Sequence, residues 1–453
     1  MLMKKQRKIK SGTGWNQIIV WMVVVGLFWA KQVGKAQVPF GSAKQGGSLQ
    51  TPQQEAAALK KEERELAERI MKEFPDSEGP IILMGNVLQR HGNAAESLKL
   101  WKKALEMNPK RADIYKSMGW LAMGKGKYEE AIAYWRKALE IQPQLADVHN
   151  AIARALMGLG RGKDAIEELE KDIQISPRSS TSYFLLGQGY LQQKEYEKAK
   201  KNYEMAIILA PNFTNAYYGL FTACARLKQT DLAQKYKVTF ERLKDEDMKV
   251  LKDRNDAHSD LVEMRKGVAE TYMSAGQIYL ESATGGQRAE ELFKRATVLD
   301  PNNTAPLVQL AAMYQKNNRA AEAIEMFKKV VGIEPDNLPC LLNIGLLYSQ
   351  LRRTADAEES FRKVISLAPK SSNGYRELAQ LYLKMGIELK QARQLAEKAV
   401  ELEPIAVNYM VLSRACDKNG DMPGALAAIK RAVELEPANA RYQEIYQKIR
   451  QRK

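Results

Sequence analysis

The feature that most constrains this chain is the regular spacing of its prolines. A proline has no backbone N–H to donate and stops a helix, and here each one follows an amphipathic segment such as "YWRKALEIQP" or "SFRKVISLAP". The spacing is 34 residues within each of two series, with one extra residue in the second. The two series are Pro75, Pro109, Pro143, Pro177, Pro211 and then Pro301, Pro335, Pro369, Pro404, Pro437. A fixed period of this length predicts one structural unit that recurs along the chain.

One repeat, residues 112–143, shows the local structure that the period predicts. Tyr115 and Ala122 lie on one apolar stripe and Ala131 and Trp135 on a second, with "GKGKY" between them. Two helical stripes separated by a glycine-containing turn predict an antiparallel helix pair. A single pair cannot bury its outer apolar face, whereas stacked pairs build a continuous core. The period therefore predicts an all-α array of stacked helix pairs.

The repeats resemble the tetratricopeptide repeat (TPR) family, whose pattern is aromatic, Leu, Gly, Tyr, Ala, aromatic, Ala and Pro. One repeat matches that pattern with Tyr183, Leu186, Gly187, Tyr190, Ala199, Tyr203, Ala206 and Pro211. The resemblance implies an all-α fold: a right-handed superhelical solenoid of antiparallel helix pairs, with about ten repeats in two blocks.

A missing proline separates the two blocks. The proline due after Pro211 falls at Asp245, yet Tyr217 and Leu220 keep the repeat in register. Apolar residues continue beyond Asp245, so the helix is expected to run on until "DRNDAHSD". Whether this stretch is a hinge or a rigid spacer stays open. The predicted segments are a capping helix at 55–75, a block of five repeats at 76–245, a helical spacer at 246–267, a block of about five repeats (four or five well formed) at 268–437 and a capping helix at 438–453.

The amino terminus has the layout of an export signal. A basic run precedes thirteen apolar residues at 18–30, and the uncharged stretch 11–30 is just long enough to span a membrane. Residues 1–36 are therefore predicted to be a cleaved signal peptide or a retained anchor. Both alternatives place the repeats outside the cytoplasm, either periplasmic or secreted, or held at the membrane by residues 15–30. The Gly-, Gln- and Ser-rich stretch 37–54 is predicted to be a flexible linker.

Composition and motifs disfavour an enzyme. Seven of the +16 charges lie in the first 36 residues, so the remainder carries only +9, and the three cysteines are far apart. His258 stands near Asp256 and Asp260, but a single His among solvated carboxylates lacks the convergent ligands of a metal or acid–base site. No phosphate loop or nucleophile motif is present, and the repeats leave no room for a catalytic domain. We therefore predict no catalytic residue, no cofactor and no metal.

The resemblance to TPR proteins also implies a binding surface. In that family the first helix of each repeat lines a concave groove that binds partner proteins. The residues at the corresponding positions are Asn86, Arg90, Lys116, Trp120, Asn150, Arg154, Phe184, Gln188, Tyr218, Thr222 and Arg226. Arginines beside aromatic rings favour an extended peptide or a protein surface with acidic character. The alternative is that these are scattered surface residues.

The function predicted from the sequence is that of a non-enzymatic scaffold, exported or membrane-tethered, which binds other proteins. An accessory subunit of an enzyme, or of a secretion or envelope assembly complex, is the alternative. Nucleic-acid binding is a remote alternative, since the predicted groove holds few cations. No nucleic acid is expected as a partner, and the oligomeric state stays open.

Overall fold

The computed structural model describes residues 51–145, 147–253, 257–282 and 284–452. These residues form 22 helices and no strand. The predicted signal or anchor at 1–36, which includes the apolar stretch at 15–30, lies outside the described residues, as does the predicted linker up to residue 50. Of the helices that are described, none is both long enough and apolar enough for a membrane span.

The chain divides after Gly285 into an N-terminal unit, Gly47–Gly285, and a C-terminal unit that begins at Gly286. The helices of the N-terminal unit are α1 (Pro52–Glu73), α2 (Glu78–Arg90), α3 (Ala94–Met107), α4 (Ala112–Gly124), α5 (Tyr128–Ile141), α6 (Val148–Gly158), α7 (Gly162–Ile175), α8 (Ser180–Gln192), α9 (Tyr196–Leu209), α10 (Thr214–Arg226), α11 (Thr230–Asp253) and α12 (Ala257–Leu280). Those of the C-terminal unit are α13 (Gly286–Leu299), α14 (Thr304–Lys316), α15 (Ala320–Ile333), α16 (Leu338–Gln350), α17 (Thr354–Leu367), α18 (Ser372–Met385), α19 (Leu389–Leu402), α20 (Ala406–Lys418), α21 (Met422–Leu435) and α22 (Ala440–Gln451).

Successive helices pack as pairs, and a glycine lets the two members of a pair approach closely. The indole of Trp135 on α5 is fully buried against Gly119 on α4, where an added Cβ would lie 2.3 Å from Nε1. Phe361 on α17 lies in the same way against Gly345 on α16, where a Cβ would come within 2.5 Å of the ring. Any larger residue at either position would force the ring away and open the core. The described residues therefore form a TPR-like solenoid of helix pairs.

The first helix of each repeat lies on the inner side of its unit. Among the described residues, the more extensive contacts between alternate helices join first helices of neighbouring repeats: α6 with α8, α8 with α10, α16 with α18, and α18 with α20. First helices therefore form the more tightly packed inner row. We use "groove face" for the surface that this row presents, and its residues recur at the fifth and ninth positions of each first helix.

The turn between the two helices of a repeat needs one residue with a positive φ. Glycine fills this position in three repeats, at Gly92, Gly126 and Gly160, but Lys194 and Lys228 fill it in the next two, with φ of 61° and 60°. A side chain in the left-handed region costs free energy that glycine avoids. The turn is thus fixed by the fold even where the residue does not favour it.

The repeat that lacks its proline has a longer second helix. Its helix α11 has 24 residues, whereas α9, the equivalent helix of the preceding repeat, has 14. No proline interrupts α11 at Asp245, so the helix continues to Asp253, and α12 begins at Ala257. Two long helices therefore occupy the region predicted to be an extended spacer.

Helix α12 turns back and packs against α1 and α2. The polar contacts between α1 and α12 are Glu55 with Arg265 (2.9 Å at Nε), Glu62 with Tyr272 (2.6 Å), Glu63 with Thr271 (2.6 Å) and Glu73 with Tyr279 (2.5 Å). Later residues of α1 contact later residues of α12, so the two helices run parallel. We call this contact the α1–α12 seam.

The seam changes where the chain divides. Residues 268–280 were expected to open the second block, but they lie within the N-terminal unit. The physical reason is the apolar side of α12, where Leu261, Val268 and Tyr279 are buried against its neighbours in that unit. The boundary consequently falls at Gly285, beyond the predicted spacer at 246–267.

Both predicted capping segments are helical. Helix α1 starts at Pro52, three residues before the predicted start, because Thr51 forms a reciprocal capping box with Gln54. At the other end α22 packs on α21 and buries Tyr442 and Ile449. Helix α22 thus covers the end of the last repeat while its other side meets solvent.

Candidate functional site

The groove face of the N-terminal unit holds the residues predicted to bind a partner. They come from α2, α4, α6, α8 and α10, the first helices of the five repeats. The fifth and ninth residues of α4 are Lys116 and Trp120, and those of α10 are Tyr218 and Thr222. The repeat period therefore brings these side chains onto one face, as the resemblance implied. Their individual environments differ.

Arg90 is engaged inside the protein. Its guanidinium pairs with Glu63 of the α1–α12 seam at 2.5 Å and also donates to Thr271 on α12. Its side chain remains 28% exposed, whereas that of Glu63 is 3% exposed. His91 contacts the other oxygen of Glu63 at 2.7 Å. Arg90 therefore joins α2 to the seam, and its donors are used within the unit.

The two asparagines of the predicted set also have internal partners. Asn86 accepts a hydrogen bond from the Trp101 indole at 3.0 Å. Asn150 is 8% exposed, donates to Ser182 at 3.0 Å and accepts from Arg154 at 3.1 Å. Both amides orient neighbouring side chains, and Asn150 fixes Arg154 on the groove face.

The hydrogen-bonded chain behind Asn150 ends on a buried carboxylate. Ser182 donates to Asp172 at 2.5 Å, and burial raises the pKa of that carboxyl above its usual value. On the same pair of helices, His149 lies 2.7 Å from Glu168, and this hydrogen bond lowers the pKa of Glu168 to about 2. Each group has a partner within the unit, so the arrangement is typical of a structural network.

Trp120 is the largest exposed side chain on the groove face. It is 44% exposed and packs edge-on against the buried Trp135, with ring centroids 5.1 Å apart. Trp135 in turn donates to the backbone carbonyl of Lys116 at 3.2 Å. The buried indole therefore holds both the exposed indole and the half-buried lysine in place. A large exposed indole on a rigid support is a typical anchor for a protein partner.

The fourth and fifth repeats contribute further aromatic residues. Phe184 packs against Tyr203 and Phe213 and is half-buried. Tyr218 is 53% exposed, and its ring lies 5.2 Å from that of Phe240 on α11. Phe240 was not predicted as a site residue, because only first helices were considered and it belongs to a second helix.

The remaining predicted residues are polar. Gln188 is half-buried, and Thr222 donates to the Tyr218 carbonyl at 2.9 Å. Arg226 is exposed, with no carboxylate at ion-pair distance among the described residues. The accessible set, which we call the groove set, consists of Lys116, Trp120, Arg154, Tyr218 and Arg226. It offers two rings and three cations, and no carboxylate belongs to it.

Other chemistry has little support in the described residues. No group of three or more His, Cys, Asp or Glu side chains is arranged there to hold a metal ion. All three cysteines are buried free thiols, and burial raises the pKa of Cys340 to about 12. A thiol with so high a pKa has little thiolate for nucleophilic chemistry.

Comparisons with known proteins were made for the sequence and for the fold. Among curated proteins, none matches the sequence. Among solved structures, MamA from Desulfovibrio magneticus RS-1 is 20% identical, with 38% of this chain and 96% of that chain covered and a TM-score of 0.34. A thermophilic TPR protein of Thermus thermophilus is 20% identical, with 40% and 98% covered and a TM-score of 0.32. Yeast Tom70 is 15% identical, with 89% of each chain covered and a TM-score of 0.33.

Three matches to family models fall on the helix pairs described above. Residues 122–160 match a TPR repeat model, and residues 180–213 and 314–381 match two tetratricopeptide repeat models. The matched stretches lie in both units. The chain therefore carries tetratricopeptide repeats.

Proposed function

We propose that this protein is a non-enzymatic scaffold that binds an extended segment of a partner protein on the groove face of its N-terminal unit. The observation that carries the proposal is the exposed Trp120, held on the buried Trp135 with Arg154 fixed beside it in the next repeat. A rigid aromatic anchor next to cations is characteristic of surfaces that bind protein segments. Internal hydrogen bonds preorganise these side chains, which lowers the entropic cost of binding.

The groove set favours a partner that carries both apolar and acidic residues. Arg154 and Arg226 supply planar donors that match carboxylates, while Trp120 and Tyr218 supply ring faces for apolar side chains. A role as an accessory subunit of a larger enzyme or assembly complex is a special case of the same binding. A partner recovered through this surface would identify that complex.

The test is affinity capture from the native host with the full chain, comparing wild type with a Trp120→Ala and Arg154→Ala double variant. We expect the double variant to lose most of the recovered partner. The matched control is Ile208→Ala with Lys201→Ala, which removes one exposed apolar residue and one cation from the second helix α9. Equal recovery by the groove variant and wild type would refute the proposed surface.

We also propose that residues 1–36 direct the repeats out of the cytoplasm, as a cleaved signal or as an anchor. The support is the basic run followed by thirteen apolar residues. Cell fractionation and sequencing of the mature amino terminus test it. A terminus at Gln37 supports cleavage, and an intact terminus in the membrane fraction supports anchoring. An intact chain wholly in the cytoplasm contradicts both.

A further inference from the structure

The C-terminal unit carries a cluster of three arginines at groove positions. Arg376 is the fifth residue of α18, the place that Lys116 and Tyr218 hold in α4 and α10. Arg414 is the ninth residue of α20, the place that Trp120 holds in α4. Arg441 is the second residue of α22, the helix that follows the last full repeat. The repeat geometry therefore presents all three on the groove face.

Arg414 stands out because it is half-buried without a carboxylate. Among the described residues, no acid lies within ion-pair distance of its guanidinium, and no hydrogen bond satisfies it. Burial, together with the nearby charge of Arg441, lowers its pKa. Desolvating a cation and placing it beside another cation both cost free energy. An anion bound between Arg414 and Arg441 would remove both costs.

Tyr442 connects the cluster. It is 6% exposed, and the charges of both Arg376 and Arg441 act on its hydroxyl. Two acids lie nearby. Glu377 pairs with Arg376 at 2.9 Å, and Glu436, which also acts on Tyr442, accepts from Asn439 at 3.0 Å. Neither acid pairs with Arg414 or Arg441, so these two guanidinium groups keep free donors.

We propose that Arg414 and Arg441 form a binding site for a carboxylate side chain of an extended peptide, with Arg376 and Tyr442 supporting it. The inference rests on the proposed scaffold function and adds a second contact region, in the C-terminal unit, for an acidic residue. Two guanidinium groups can hold one carboxylate through several charge-assisted hydrogen bonds, which are stronger than neutral ones. Arginine suits this role because its planar fork matches both carboxylate oxygens.

Charge balance selects the carboxylate as the ligand. The cluster holds three cations and two acids, and one acid already neutralises Arg376. A single negative charge between Arg414 and Arg441 leaves the site close to neutral. The groove set of the N-terminal unit also contains cations and no acid, so an acidic partner suits each of the two units.

The test is fluorescence anisotropy with the full chain in mild detergent. The probe is a labelled, C-terminally amidated twelve-residue peptide of alternating Glu and Ala, and its partner has Gln in place of Glu. A third peptide has Gln and a free carboxyl terminus, and inorganic phosphate serves as a competitor. The variants are Arg414→Ala with Arg441→Ala, and Arg414→Lys. The control, Arg431→Ala with Arg450→Ala, removes the same charge from exposed positions of α21 and α22.

We expect wild type to bind the Glu peptide at least about tenfold more tightly than the Gln peptide. The double variant should lose that preference, Arg414→Lys should keep part of it, and the control should keep all of it. Equal binding of the Glu peptide by wild type and double variant would overturn the site. So would a preference for the free carboxyl terminus or for phosphate over the Glu side chains. Thermal unfolding of each variant excludes loss of fold as the cause.

Failure here and failure of the proposed function are distinguishable. The Trp120→Ala and Arg154→Ala variant changes only the N-terminal unit, so it should leave the Arg414-dependent preference intact. If that preference is absent while partner capture still depends on Trp120, the scaffold function stands and the arginine site falls. If the preference is present while capture is independent of Trp120, the arginine site stands and the N-terminal groove falls.

Discussion

Glu63 on α1 accepts a hydrogen bond from Thr271 on α12 at 2.6 Å, although 208 residues separate them in the sequence. The same carboxylate pairs with Arg90, so one buried acid joins α1, α2 and α12. Repeats in a solenoid ordinarily contact only their neighbours. Here the two ends of the N-terminal unit are joined directly.

Replacing Glu63 by Ala should destabilise the N-terminal unit by about 2–3 kcal/mol. The change leaves Arg90 and Thr271 facing a buried gap, and the loss is moderated because Arg90 is partly solvated. Urea unfolding followed by circular dichroism measures the loss. Glu65→Ala is the matched control, since its ion pair with Lys61 is exposed. Equal midpoints for the two variants would contradict a structural role for the seam.

Replacing Lys194 by Gly should stabilise the protein by about 1 kcal/mol. Its φ of 61° falls in the left-handed region, which glycine adopts without strain, as Gly126 does at the same position of an earlier repeat. The reverse change, Gly126→Ala, should destabilise by a similar amount. Thermal unfolding of both variants checks the signs, and a loss of stability in Lys194→Gly would refute the argument.

Glu168 should make the N-terminal unit sensitive to acid. The hydrogen bond from His149 lowers its folded-state pKa from 4.5 to about 2. A lowered carboxyl pKa contributes stability that is present above pH 4.5 and is lost as the pH falls towards 2. Glu168→Gln should flatten the dependence of unfolding free energy on pH in that window, by at most about 3 kcal/mol. Unfolding titrations at several pH values measure this, and parallel profiles for variant and wild type would contradict it.

Replacing Arg414 by Met should raise the stability of the chain without ligand by about 0.5–1 kcal/mol. The variant removes a half-buried cation that has no carboxylate partner among the described residues and lies near Arg441. Calorimetry on the full chain tests this, with Arg431→Met as a solvent-exposed control. A clear loss of stability in Arg414→Met would show that the guanidinium has a structural partner, and would weaken the carboxylate site.

The repeats were predictable because their signals are local. A proline at each helix end and a small residue opposite a ring, such as Gly119 opposite Trp135, recur within 34 residues and define the pair without distant information. The overlong α11 was predictable for the same reason, since only the proline due at Asp245 is missing. The TPR-like fold and the repeats predicted from these signals are confirmed.

The seam was not predictable, because nothing in the period links α1 to a helix about 200 residues later. Its signal is chemical: glutamates of α1 meet Thr271, Tyr272 and Tyr279 of α12, and such polar pairs have no spacing rule. For the same reason, Arg90 was assigned to the groove although its donors are used inside the unit. The arginines of α18 and α20 carry the positional signal of Lys116 and Trp120, and the sequence prediction did not extend to them.

The seam also bears on how the chain is made. In an open array each repeat can dock on its predecessor soon after it leaves the ribosome, whereas α1 meets α12 only once residue 280 has emerged. At ordinary elongation rates, the roughly 200 intervening residues take on the order of ten to forty seconds. During that interval α1 lacks one of its two packing partners. Nascent α1 is therefore where a chaperone would act, and where slow synthesis would increase the risk of aggregation.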